Sequence, residues 1–141
     1  MNIIYKENLL TAENYRTFQK EMKWEQIEYE QIDKSLKNDL YDVVAIHEDR
    51  IIGMGRLIGD GAMFWYVQDI FILTEYQRKG VGSKIVNRLI EYAKENSLSK
   101  TEISLCLMSA SGKEEFYEKL GFKRRPYGHE GAGMDMEIMI D

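Results

Sequence analysis

At 141 residues, 44 % of them hydrophobic, the chain is long enough to bury a proper core as one domain, 1–141, without a metal or disulfide staple. Its single cysteine, Cys106, allows no internal disulfide, and the formal net charge of −5 argues against a general affinity for nucleic acid, whose backbone rewards clustered Lys and Arg. The apolar runs are short and the N-terminus lacks the basic start of a signal peptide, so the expectation is a cytoplasmic protein with no membrane partner.

Thr11 is suited to cap a first helix whose apolar residues Tyr15, Phe18 and Met22 recur at helical spacing. A second helical stretch follows Trp24, marked by Ile27, Ile32, Leu36 and Leu40. Tyr41 to His47 reads as a strand, Glu48-Asp49-Arg50 as a tight connection, and Ile51 to Ile58 as the returning strand. Gly59-Asp60-Gly61 supplies residues that tolerate positive φ, which makes Trp65 to Leu73 a third consecutive strand. The period then changes. Ile85, Val86, Leu89, Ile90 and Ala93 form the stripe of a helix from about Gly82 to Asn96. Thr101 to Met108 returns to strand character, with Cys106 as a small core residue.

Ser111-Gly112-Lys113-Glu114 has the form of a capping box opening a short helix, and Gly121 is placed to end it. Phe122 to Arg124 and Met134 to Ile140 read as two further strands, separated by a loop.

The most informative stretch is Gln77-Arg78-Lys79-Gly80-Val81-Gly82, between a strand and an amphipathic helix. Glycines let the backbone approach a ligand, a helix start offers unpaired amides, and two cations stand beside them. Residues 75–100 are net positive in an otherwise acidic chain: Arg78, Lys79, Lys84, Arg88, Lys94 and Lys100 stand against Glu75, Glu91 and Glu95. A diphosphate suits such a loop. A plain strand-to-helix turn would use the same glycines. A dinucleotide-binding turn fits less well, since the third glycine of its fingerprint is Ile85 and the preceding strands are joined by short turns. No Gly-Lys-Ser/Thr triplet is present for a P-loop.

These residues resemble a known family. Gln77 to Gly82 matches the Gln/Arg-x-x-Gly-x-Gly/Ala signature of the GNAT acetyltransferases, and Phe116-Tyr117-Glu118-Lys119-Leu120-Gly121-Phe122 resembles the family's second landmark, a short helix ending in Gly-Phe. The resemblance covers nearly the whole chain, and before Tyr41 it rests on element order alone. It implies an α+β fold in three layers, with a strongly twisted mixed sheet of about six to seven strands, about four helices, and an opening between central strands for coenzyme A. Many relatives carry an Asn before the second landmark, where this chain has Ser109-Ala110-Ser111.

What the resemblance implies is an N-acetyltransferase that uses acetyl-CoA, without a metal, on a small-molecule amine; a polyamine or arylalkylamine is favoured, and a homodimer is a further expectation. Main-chain groups of Ile70, Phe71 and Ile72 would pair with the pantetheine arm. Gln77, Arg78, Lys79, Gly80, Val81, Gly82 and Ser83 would wrap the pyrophosphate, with Phe116 also on the coenzyme side. Tyr117 falls where relatives keep the tyrosine thought to protonate the departing thiolate. Asp69, an acid interrupting an apolar strand, is a candidate base for the amine or a structural acceptor of amides. The amine pocket would draw on Trp24, Asp60, Trp65 and Tyr66, whose aromatic and acidic character suits a cation. Gly55, Arg56 and Asp60, with Asp69, also look like arylalkylamine-type members. His47 and His129 read as surface residues, and no spacing suggests a metal site. A protein of this family that binds acyl-CoA without turning it over, and a peptide or protein N-acetyltransferase, are the alternatives.

Overall fold

A computed structural model describes residues 1–141, which divide into two compact units, Met1–Leu107 and Met108–Asp141. The first unit holds a five-stranded sheet in chain order: β1 (Ile4–Glu7), β2 (Tyr41–His47), β3 (Arg50–Gly59), β4 (Phe64–Ile72) and β5 (Ser104–Cys106). Neighbours pair antiparallel except β4 and β5, which run parallel. Helices α1 (Ala12–Glu21), α2 (Tyr29–Lys37) and α3 (Val81–Glu95) complete the unit.

Local chemistry sets the boundaries. Thr11 caps α1 by accepting a hydrogen bond on its hydroxyl from the Asn14 amide at 3.1 Å. Glu48 and Asp49 both take positive φ, 50° and 62°, the two-residue turn whose twist matches the flanking strands. At the next turn Gly59 is obligatory: its φ is 132°, and a Cβ there would collide with the carbonyl oxygen of Phe64. Strand β1 escaped the sequence reading because its four residues are mostly exposed and show no usable alternation; what makes it a strand is its pairing with β2.

The two faces of the sheet differ. On one, α3 lays Ile85 and Leu89, both fully buried, against β2, β3 and β4. The close approach depends on glycines of β3, since a Cβ on Gly55 would stand 2.6 Å from Ile85 and 2.7 Å from Ile70. On the other face lie α1 and α2. Between Met54 and Arg56 the β3–β4 register slips: Met54 pairs with Phe71 but Arg56 with Gln68, so β4 carries one extra residue opposite Gly55. The bulge contains Asp69, at a φ of 55°, and reverses the alternation of β4. Trp65 packs towards Tyr92 of α3 before it; beyond it Ile70 and Ile72 face α3, while Phe71 meets Phe18 and Trp24.

In the second unit, α4 (Glu114–Lys119) is followed by Gly121 at a φ of 106°, the left-handed residue expected past its end. The capping box is not formed. The helix starts after Lys113, with no side-chain cap, because Ser111 and Gly112 are drawn into a turn with Gly112 at a φ of 87°. Strand content is lower than expected, five rather than six to seven. Residues 122–124 and 134–140 form no strand, and Met134, Met136, Ile138 and Ile140 stand exposed. The predicted strand 101–108 contracts to β5, where Cys106 is half-buried rather than in the core.

Candidate active site

The loop singled out in the sequence forms an open cradle at the start of α3. Gly80 is the residue before the helix, at a φ of 83°, and contributes no capping side chain. The opening amides of α3, which lack intrahelical partners as in any helix, are therefore left without a side-chain cap as well, at the positive end of its dipole. Nothing lies within 4 Å of where a Cβ on Gly80 would stand. Arg78 turns the chain with a φ of 61°; it and Lys79 are exposed, and neither makes an ion pair. Val81 instead anchors the turn in the core, and Gly82 and Ser83 continue into the first helical turn. Free amides, a bare glycine and two unpaired cations are what a pyrophosphate needs, so these residues fit the diphosphate of a coenzyme.

Strand β4 leads to this cradle with an open edge. It pairs with β5 only from Phe64 to Tyr66, so from Val67 onward its partner is β3 alone. Ile70, Phe71 and Ile72 lie on this free stretch, a few residues from the loop. The Gln77 side-chain amide donates to the Ile72 carbonyl at 3.0 Å, tying loop to strand end.

Behind the bulge, on the α1–α2 face, lies a cluster of buried charge. Arg56 on β3 donates from Nε to Asp39 at 3.1 Å, from Nη1 to Asp69 at 2.9 Å, and from Nη2 to both the hydroxyl and the carbonyl of Ser35 at 2.9 and 3.2 Å. The side chains of Arg56, Asp39 and Asp69 are only 6 %, 8 % and 10 % exposed. The Tyr15 phenol is held far above its ordinary range, first by burial and then by the negative charge of the Asp69 carboxylate. Burial also pushes Asp39 up, with Arg56 opposing it, and pushes up Asp42, which accepts the Leu10 amide at 3.1 Å. In register, Asp42, Arg56 and Gln68 form a polar row across three strands.

The cluster thus brings Asp69 together with Arg56, Tyr15, Ser35 and Asp39. The sequence alone points to only Arg56 and Asp69 of these. Tyr15, Ser35 and Asp39 carry no signal of their own; the available one is Arg56 itself, a charge within the apolar run 51–58 that requires partners once its strand is buried.

The structure does not gather the expected amine-side residues in one place. Trp24 sets its ring edge-on to Phe71, 4.1 Å between centroids, beside Phe18. Tyr66 is half-buried, whereas Trp65 lies in the core with its indole N–H unpartnered. Asp60 is exposed, and its Oδ1 accepts from the amides of Ala62, Met63 and Phe64 at 2.8, 2.8 and 3.0 Å, which holds its carboxyl below the usual range. His47 is half-buried rather than a free surface residue and shares a 2.7 Å hydrogen bond with the Tyr76 hydroxyl. In the second unit Tyr117 packs edge-on against Phe116 and Phe122, and burial raises its pKa.

These features define a class, an α+β protein with a glycine loop flanked by cations between a strand and a helix. The sequence profile of the acetyltransferase (GNAT) family matches residues 5–122. The chain belongs to that family. Among solved structures it is similar to a Staphylococcus aureus protein described as of unknown function and a probable acetyltransferase, with 28 % identity, a TM-score of 0.82, and coverage of 97 % of this chain and 100 % of the other. A GNAT-family acetyltransferase of Streptococcus pneumoniae shares 25 % identity at a TM-score of 0.73, over 87 % and 89 % of the two chains. The chloroplastic GCN5-related N-acetyltransferase 2 of Arabidopsis thaliana is 30 % identical over 84 residues, 60 % of this chain and 31 % of that protein. The chain spans about a third of the length of the first curated relatives it matches.

Proposed function

We propose that the chain is an N-acetyltransferase that takes acetyl from acetyl-CoA and delivers it to a primary amine of a small molecule, a polyamine or arylalkylamine, by direct attack in a ternary complex. The observation that carries this reading is the Gly80 cradle at the end of the open β4 edge, in a chain that belongs to the GNAT family. The profile match crosses both compact units and supports reading them as one domain.

Acetyl-CoA supplies the activated thioester. This chain's part is to hold the diphosphate with the amides and cations of 77–83, to align the pantetheine arm along Ile70–Ile72, and to keep the amine close enough to react. When the N–C bond forms and the C–S bond breaks, the thiolate needs a proton and the amine must lose one. Tyr117 is the proposed donor, a role resting on its position before Gly121 and Phe122. Its phenol is protonated at neutral pH at its ordinary pKa, and burial raises that value further. Of the two roles open to Asp69, the bond from Arg56 supports the structural one, since one carboxylate oxygen is already engaged. Trp24 and Tyr66, half-buried aromatics of the first unit, are the proposed contacts for the amine's apolar or cationic body.

The test is thiol release from acetyl-CoA against spermidine, 2-phenylethylamine, an aminoglycoside and a short peptide. The proposal expects turnover with one of the first two. Tyr117→Phe is then expected to lower kcat by about a hundredfold, within the range for a lost general acid, while leaving coenzyme A affinity unchanged. An unchanged rate would remove Tyr117 from the mechanism. Coenzyme A binding without turnover on any amine would favour a binding module.

A further inference from the structure

Arg56 is the one buried cation of the first unit's core, and its bonds reach beyond its own strand. Through Asp69 it holds the β4 bulge, and through Ser35 and Asp39 it holds the C-terminal end of α2. The bulge residue itself is in a conformation disfavoured for an L-amino acid, and it sits directly before Ile70, on the free strand edge that leads to the cradle. A planar fork that satisfies several acceptors in fixed directions is a property of guanidinium and not of ammonium.

We propose that Arg56 is a positioning residue, a clamp that fixes the β4 bulge through Asp69 and the end of α2 through Ser35 and Asp39, so that the strand edge at Ile70–Ile72 keeps the course a coenzyme arm requires. The inference rests on the proposed binding of acetyl-CoA, and it assigns Arg56 no contact with the reacting atoms. It explains why a strand otherwise built for an apolar core carries a charge whose burial must be offset by several partners.

The experiment compares the wild-type chain with Arg56→Lys by calorimetric titration with coenzyme A, at a temperature where melting curves show both to be folded. Lys keeps the charge but cannot span the three partner residues. Coenzyme A is expected to bind about tenfold more weakly, the scale on which a small misplacement acts. Trp24 fluorescence is expected to shift, because its ring rests on Phe71, two residues past the bulge. A purely structural Arg56 would lower the melting temperature and leave the coenzyme dissociation constant within about twofold, and that result would overturn the proposal. If Arg56→Lys does not fold, Asp69→Asn removes the charge that Arg56 holds at the bulge while keeping the side chain's size; weaker coenzyme binding supports the clamp, and unchanged binding overturns it. Wild-type protein that binds coenzyme A but acetylates no amine would sink the function proposed above and leave the clamp to be judged on the titration. Wild-type protein that does not bind coenzyme A would overturn both.

Discussion

The two faces of the central sheet are built from the same strands, but only one of them buries charge at its middle. Against α3 the contact is hydrocarbon: Val43, Leu57, Ile85 and Leu89 are all fully buried, and Gly55 lets the helix come close. Burial of such side chains stabilises by about 1.5–3 kcal/mol each and requires no particular direction. Against α1 and α2 the middle of the sheet carries Asp42, Arg56 and Asp69 with Asp39 above them. Ionised groups there cost several kcal/mol each before their bonds offset it, and those bonds do have direction. The dry face holds the fold together. The charged face specifies one geometry, at the bulge beside the proposed coenzyme edge.

Substitutions can break that comparison. The largest effect is expected from Arg56→Met, which strands two carboxylates in the interior and should destabilise by about 3–5 kcal/mol in urea melts. If it proved neutral, the charged face would be packing like the other. Gly55→Ala on the dry face comes next, because the new methyl meets Ile85 and Ile70 at 2.6 and 2.7 Å; overpacking of this kind costs about 1–3 kcal/mol. The smallest is Asp42→Asn. Burial raises the Asp42 pKa, so the folded state favours the protonated form; its contribution is fully present below the unfolded pKa and is lost as pH rises through the folded one. The Asn variant lacks that loss. It should gain stability relative to wild type between acid pH and pH 7, and a gap that shrank towards neutral pH would show that the Leu10 amide outweighs burial.

What was legible in the sequence follows the same division. Helix α3, strands β2 to β4 and the Gly80 loop were readable, since each is a local matter of period or of glycine beside cations. Strand β1 was not, because its existence depends on pairing with β2 rather than on its own residues. The opposite error occurred at 134–140, where alternation of Met and Ile with acids describes a face that a strand could bury but forms no strand here. Ser111 failed as a cap because Gly112 turns the chain first. In the site, the cradle was visible residue by residue, whereas the Arg56 cluster joins residues from 15 to 69 across four elements. The one-residue slip that aims Asp69 at Arg56 leaves no mark on the hydrophobic pattern.

The central claim is tested most directly by incubating the wild-type protein with acetyl-CoA and spermidine or 2-phenylethylamine, following thiol release and identifying the product by mass spectrometry. The account predicts amine-dependent release of thiol matched by a mono-acetylated amine. Thiol release no faster with any amine than without, and no acetylated product, would contradict it.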